Sequence, residues 1–413
     1  MISSQLRVST NAAAVPYRPG AMIHRFILFL PLLLIACQSP QTPDTRRDSS
    51  GPWNLADLQR APIITWGEKS GSVQELYYQG EPFQQTATRV FAYLGRPTTG
   101  DGPFPAVVLV HGGGGKGFKD WAEHWARRGY VALAMDLSGN GPNGRLPDGA
   151  PDQSDDVKFR NFTASDIPDM WTYHAVANII RGHSLLASLP DVDPSRVAIT
   201  GISWGGYLTC IVAGLDHRFK AAVPVYGCGF LGENSVWKDG SLARMTPEAR
   251  ELWLETFDPA QYLGGTRCPI LFLNGTHDFA YPLDSYQKSY RLVRPNLRHT
   301  SIVMKLPHGH IWTFPEVDQF IDRTVAKQPF PKIGPLKIHG QTITATSTAP
   351  LQSATLNYTT NTGPWQKREW TTIPATITNK TISAQIPSTA PLTYFLSATT
   401  ADNLRISSEY AER

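Results

Sequence analysis

Val197-Ala198-Ile199-Thr200-Gly201-Ile202-Ser203-Trp204-Gly205-Gly206 is the stretch that decides how this chain is read. Its first four residues are apolar or β-branched, as in a buried strand, and the residues from Gly206 to Ala213 read as a helix. Between them lies Gly-x-Ser-x-Gly. A serine on so tight a strand-to-helix turn sits in a strained backbone conformation, so the positions two residues to either side must lack side chains. Its hydroxyl then projects above the sheet edge, over the positive end of the following helix. Ser203 is therefore expected to be a nucleophile.

Working outward, strands and helices alternate. Arg89-Val90-Phe91-Ala92-Tyr93-Leu94 alternates in places and pairs with Glu75-Leu76-Tyr77-Tyr78 as a predicted antiparallel hairpin. Ala106-Val107-Val108-Leu109-Val110 is a continuous apolar run, as in a strand buried on both faces. A helix over residues 121–128, a strand over 131–135 and a helix over 174–189 precede Val197. Strands over 221–225, 270–273 and 300–306 follow it. This rhythm predicts a mostly parallel sheet with helices on both faces. Residues 138–171 and 227–263 interrupt it. Both leave the carboxyl ends of strands, where open α/β sheets bind ligands, and are expected to wall a substrate pocket.

The other chemical groups are expected at the same end of the sheet. His111-Gly112-Gly113-Gly114-Gly115 follows the first buried strand. Consecutive glycines let backbone N–H groups face a developing oxyanion. Gly113 is the main donor expected from this loop, acting with the N–H of Trp204. Gly112 and Gly114 stand as alternatives, and His111 is expected to orient the loop. A carboxylate and a histidine should follow the serine in that order. Asp278, in Asn274-Gly275-Thr276-His277-Asp278, is the expected acid, with Asp284 as the fallback. Pro307-His308-Gly309-His310 holds two candidate bases. The Gly-His pair favours His310 over His308, and the other histidine is expected to line the pocket or make a hydrogen bond.

The stretch from Val73 to Ala326 resembles the α/β-hydrolase superfamily. Within it, the chain is most similar to the branch holding acetylxylan esterases, dienelactone hydrolases and prolyl oligopeptidase catalytic domains. The resemblance rests on Val110 to Gly114, Trp121 to Tyr130, Asp193-Pro194-Ser195-Arg196-Val197, the serine turn, and Thr276-His277-Asp278. It implies a serine carboxylic-ester hydrolase that needs no cofactor or metal and releases a short acyl group, such as acetate, from a carbohydrate or similar small ester. A peptidase or amidase of the same fold is the alternative. Dienelactone hydrolases carry cysteine where Ser203 stands. Prolyl oligopeptidases usually carry a propeller before the catalytic domain, yet fewer than 60 residues separate Cys37 from Leu94. Trp171, Trp237, Trp253 and Trp312 are candidates to stack on sugar rings, or else are packing residues.

After Pro331 the composition turns to Thr, Ser and Ala, with short alternating stretches and turn signals. Residues 335–413 are therefore expected to form a small immunoglobulin- or fibronectin-like β-sandwich that supports a catalytic domain over residues 52–330.

At the other end, Met22-Ile23-His24-Arg25 precedes an apolar run over residues 26–36 that stops at Cys37. That is the layout of a signal peptide, too short to span a bilayer. Leu34-Ile35-Ala36-Cys37 resembles the bacterial lipobox, which implies lipidation at Cys37 and a membrane anchor. The reading divides this end into residues 1–37, a signal peptide, and 38–51, a tether. It places the protein in the cell envelope, at the outer membrane or in the periplasm. The net charge is +4 without a long basic block, which argues against a nucleic-acid partner. Three further cysteines, Cys210, Cys228 and Cys268, leave at least one thiol free, and a bridge between Cys210 and Cys228 stays open. The acidic stretch with Asp152, Asp155, Asp156 and Asp166 is read as a solvated loop, not a calcium site.

Overall fold

Val108 lies beside Leu133 on one side and Ile199 on the other, all without solvent contact. This triplet is the middle of a nine-stranded sheet in a computed structural model that describes residues 51–311 and 314–413. The expected signal peptide, Cys37, nearly all of the tether, and Trp312 lie outside the described residues.

The strands are β1 (Ile64–Ser70), β2 (Val73–Gln79), β3 (Arg89–Gly95), β4 (Phe104–Val110), β5 (Val131–Met135), β6 (Val192–Ile202), β7 (Ala221–Val225), β8 (Ile270–Gly275) and β9 (Arg298–Val303). Their order in the sheet is β1-β2-β3-β5-β4-β6-β7-β8-β9. The pairs among β1, β2, β3 and β5 are antiparallel, and every pair from β5 to β9 is parallel. Every residue of β5, β7 and β8 is buried, so both faces of the parallel part are covered. The longer helices are α1 (Lys119–Arg127), α2 (Trp171–Ser188), α3 (Trp204–Leu215), α4 (Pro247–Phe257), α5 (Leu283–Leu292) and α6 (Pro315–Val325).

Two strand assignments differ from expectation. β1 is an added edge strand with a bulge between Trp66 and Lys69, and most of its side chains face solvent. With no buried face, it carries no apolar alternation to read. β9 runs over Arg298–Val303, because the backbone at Lys305 turns at φ 51° and its N–H donates to Thr276 Oγ1 at 3.0 Å.

Beyond β9 the chain builds two small antiparallel sheets. One joins the strands Lys337–His339, Thr342–Thr346, Thr376–Thr378 and Thr381–Gln385. The other joins Leu351–Thr359, Thr371–Pro374, Thr393–Thr400, Arg405–Ser407 and Ala411–Glu412. Their apolar residues, Ile343, Leu356, Ile382 and Leu396 among them, belong to the same continuous core as the large sheet. The short strand Arg405–Ser407 lies along β9 and binds it through side chains. Ser407 Oγ accepts from the Ile302 N–H at 2.8 Å, and Ser301 Oγ donates to the Arg405 carbonyl at 2.9 Å. Arg405 Nε also donates to Glu316 Oε1 at 2.6 Å, and that carboxylate on α6 is wholly buried.

Only the Glu316 side of this pair is buried, and removing its half-exposed partner leaves that carboxylate short of donors, so Arg405→Ala is expected to cost about 1–3 kcal/mol of stability. The shift of the urea midpoint measures it. A second expectation concerns acid. Burial, the main cause in each case, pushes His174, His183 and His299 down to about 4. These groups stay neutral when folded, while the unfolded chain protonates them near 6.5. Stability should then be insensitive to them above pH 6.5 and fall as pH drops toward 4, by about 2 kcal/mol for each group at pH 5. Urea midpoints at pH 7.5 and 5 check the direction, and His183→Leu should flatten the difference.

Candidate active site

Ser203 joins β6 to α3 with φ 59° and ψ −118°, a backbone conformation that L residues rarely adopt. Its own backbone is held from both sides: the Ser203 N–H donates to the Val225 carbonyl at 2.9 Å, and its carbonyl accepts from the Tyr207 N–H at 2.9 Å. The flanking glycines are dictated by contact. A Cβ at Gly201 would lie 2.4 Å from the Gly205 carbonyl oxygen, and one at Gly205 would lie 2.1 Å from that of Val110. Either is closer than real Cβ atoms come.

His308 stands between the serine and a carboxylate. Its Nε2 is 2.8 Å from Ser203 Oγ, and its Nδ1 is 2.7 Å from Asp278 Oδ2. Asp278, fully buried at its side chain, accepts at Oδ1 from the N–H groups of Ala280 at 2.9 Å and Tyr281 at 2.7 Å. With Oδ1 so occupied, Oδ2 faces the imidazole. Nδ1 then carries the proton donated to Asp278, which leaves Nε2 free to accept from the serine hydroxyl. The His308 ring stacks on Tyr226 at 4.4 Å between centroids, and the Tyr226 hydroxyl donates to the Pro307 carbonyl at 2.7 Å. β7 and the loop after β9 thus fix the imidazole together.

The preference for His310 as the partner of Ser203 is corrected by this geometry. His310 Nε2 instead accepts from the Gly112 N–H at 3.0 Å, and its ring packs near Phe118 and Trp121. Asp284, the fallback acid, accepts from the Asn234 amide and does not meet His308. In the glycine loop, the Gly115 N–H donates to the Gly112 carbonyl at 3.1 Å and Gly114 takes φ +68°, closing a tight turn. His111 orients the loop as expected. Its Nε2 accepts from the Leu137 N–H at 2.8 Å, and its Nδ1 lies 2.8 Å from the Gly112 carbonyl. The Gly112 N–H is taken by His310. The Gly113 Cα stands against the Trp204 ring, whose Cδ1 would be 2.9 Å from a Cβ there. Trp204 opens α3, so its N–H has no intrahelical acceptor.

The two long inserts meet over Trp204. Its ring packs against Trp237 at 4.5 Å, Phe159 at 5.9 Å and Trp171 at 5.8 Å between centroids. Trp171, Trp237 and Trp253 are all buried, so they build the wall and are not open platforms for a sugar. Among the described residues, the exposed aromatic at the site is Phe279, 54% accessible and 4.8 Å from the His308 ring. Its place beside Asp278 was the sequence signal that could have found it. Lys158 was also missed. Its ammonium is buried 4.3 Å from the Trp204 ring centre and 3.0 Å from Asp155 Oδ1, and desolvation holds its pKa below the usual lysine range.

Of the other acidic residues in that insert, Asp152 accepts from the Ser154 N–H and Asp166 caps the turn at Thr163. Among the described residues no three His, Cys, Asp or Glu side chains converge as metal ligands. Cys210 and Cys228 are free buried thiols, not a bridge, and burial raises both pKa values well above normal.

A methyl at Gly205 cannot be accommodated without moving β4 from α3. Gly205→Ala is therefore expected to fold poorly, with soluble yield and melting temperature well below those of Gly240→Ala, where a Cβ meets nothing closer than 3.6 Å.

Residues 65–236 match the acetyl xylan esterase family and residues 161–323 the prolyl oligopeptidase family. An Escherichia coli K12 protein named "Putative carboxymethylenebutenolidase" is 26% identical over 222 residues, covering 53% of this chain and 71% of that one. The acetyl esterase Axe7A of Xylanibacter ruminicola is 28% identical over 149 residues, covering 32% of this chain and 31% of its own. Among solved structures, the acetyl xylan esterase from Paenibacillus sp. R4 superposes with a TM-score of 0.54 at 20% identity, covering 67% of this chain and 92% of that one. The chain is a serine hydrolase of esterase type with the α/β-hydrolase fold.

Proposed function

We propose that the chain releases a short acyl group, such as acetate, from a carbohydrate or similar small ester through an acyl-Ser203 intermediate. The observation that carries this is the unbroken hydrogen-bonded line Ser203–His308–Asp278, at 2.8 and 2.7 Å. In the first step Ser203 Oγ attacks the ester carbonyl and its proton passes to His308 Nε2. Asp278 holds the imidazole tautomer and stabilises the imidazolium. The N–H groups of Gly113 and Trp204 face the developing oxyanion. His308 then gives its proton to the departing alcohol. Water attacks the acyl-serine, with His308 taking a proton again and returning it to Ser203. The wall of Phe159, Trp204 and Trp237 supports a small acyl group, and exposed Phe279 supports contact with the alcohol part.

A peptidase or amidase is the second reading, because the prolyl oligopeptidase match spans Ser203, Asp278 and His308 together. We also infer from residues 22–37 that the mature protein begins at a lipidated Cys37 and sits in the cell envelope, with residues 38–51 as its tether.

Hydrolysis of p-nitrophenyl esters of increasing acyl length, beside a proline p-nitroanilide, tests the reaction. Ser203→Ala is expected to lose about 10⁴-fold or more in kcat on acetate esters. Equal rates for the two proteins would sink the proposal, and anilide cleavage without ester preference would favour the peptidase.

A further inference from the structure

The sequence offers two histidines for one task, and the structure uses His308 between Ser203 and Asp278. His310 is left with a specific arrangement of its own. Its Nε2 accepts the Gly112 N–H at 3.0 Å, across nearly two hundred residues of chain. The loop is shaped to admit it: a Cβ at Gly115 would stand 2.6 Å from His310 Nε2, and one at Gly112 would stand 3.1 Å from the same atom. The ring is backed by Phe118, 5.2 Å away between centroids. On the opposite side of the turn, His111 ties the Gly112 carbonyl to the Leu137 N–H. The peptide groups on both sides of Gly112 are thus anchored by imidazoles, and the next residue is Gly113.

We propose that His310 is a positioning residue, which fixes the glycine loop for transition-state stabilisation by accepting the Gly112 N–H. This rests on the ester-hydrolase reading of the site. The chemistry demands one form of the ring. Nε2 must be an unprotonated acceptor, so the proton of neutral His310 sits on Nδ1. The titratable groups facing it are His111 and His308, and both disfavour a positive charge there. Burial, chiefly, and these two neighbours hold its pKa below the ordinary histidine value. The acceptor form is therefore the working form at neutral pH.

A loop displaced by about 1 Å costs roughly 10²-fold in rate, so His310→Phe, which keeps a ring against Phe118 but offers no acceptor, should lower kcat about 10- to 100-fold with KM within about twofold. His310→Gln, whose amide oxygen can accept from the Gly112 N–H, should recover most of that loss. An unchanged kcat in the phenylalanine variant, or no advantage of Gln over Phe, overturns the proposal. A second readout does not depend on turnover. In ¹⁵N-histidine spectra of the wild-type protein, the imidazole signals absent from His310→Gln should report the Nδ1–H tautomer at pH 7.5. An Nε2–H tautomer overturns the proposal whatever the turnover of the variants. If the wild-type protein cleaves no ester, the reaction reading fails separately, and the tautomer still decides whether His310 holds the loop.

Discussion

The contact on which the site depends is the approach of the Gly205 backbone to the carbonyl of Val110. It brings the end of β4 against the start of α3 with no room for a side chain. Three consequences follow from that one closeness. The glycine loop after β4 is delivered beside the serine turn, because both leave the sheet at the same level. The backbone at Ser203 is forced to positive φ, which aims its hydroxyl away from the core. The first N–H groups of α3 end up beside the loop, where negative charge is favoured. Strain at a single residue is tolerated because Gly201, Gly205, Gly206 and Gly227 let the surrounding backbones close around it.

The acid and base are held from the opposite direction. Asp278 is fixed by backbone N–H groups of its own turn, and His308 by the Tyr226 ring at the end of β7. Behind the acid loop stands the C-terminal part. The Arg368 carbonyl lies 2.8 Å from His277 Nε2, and Gln366 donates to the Phe279 carbonyl at 3.3 Å. Trp365, Phe395 and Tyr410 form a small apolar cluster with Leu283 and Ile302. These contacts join the C-terminal part to β9, to the start of α5 and to the loop that follows β8.

How much of this was legible in the sequence depended on the range of the interaction involved. The strand-turn-helix at Ser203, the glycine loop and Asp278 were readable because each leaves a short local motif, even where distant contacts complete its geometry. The buried strands were readable from their apolar runs. The choice between His308 and His310 was not. Both lie in one short turn, and what separates them is packing on Tyr226 and the hydrogen bond from Gly112, each far away in sequence. The tryptophans illustrate the same point. Composition put Trp171, Trp237 and Trp253 near the site, but only the tertiary packing of two inserts around Trp204 makes them wall. β1 left no pattern because its side chains are mostly wet, and the docking of Arg405 and Ser407 on β9 depends on hydroxyls and an ion pair that no periodicity reports.

That last docking has a consequence for the order of events in folding. β9 is the final strand of the large sheet and leads directly into the loop that bears His308. Its outer edge is completed by groups about a hundred residues further along the chain, at Arg405 and Ser407. The ribosome hands over Ser203 and Asp278 long before that cover emerges. In the interval the nascent chain presents an open sheet margin, the kind of surface that invites pairing with another chain. Folding of this chain therefore sets late closure against misassociation, and a holding chaperone would have its strongest claim on it while the last strands are still emerging.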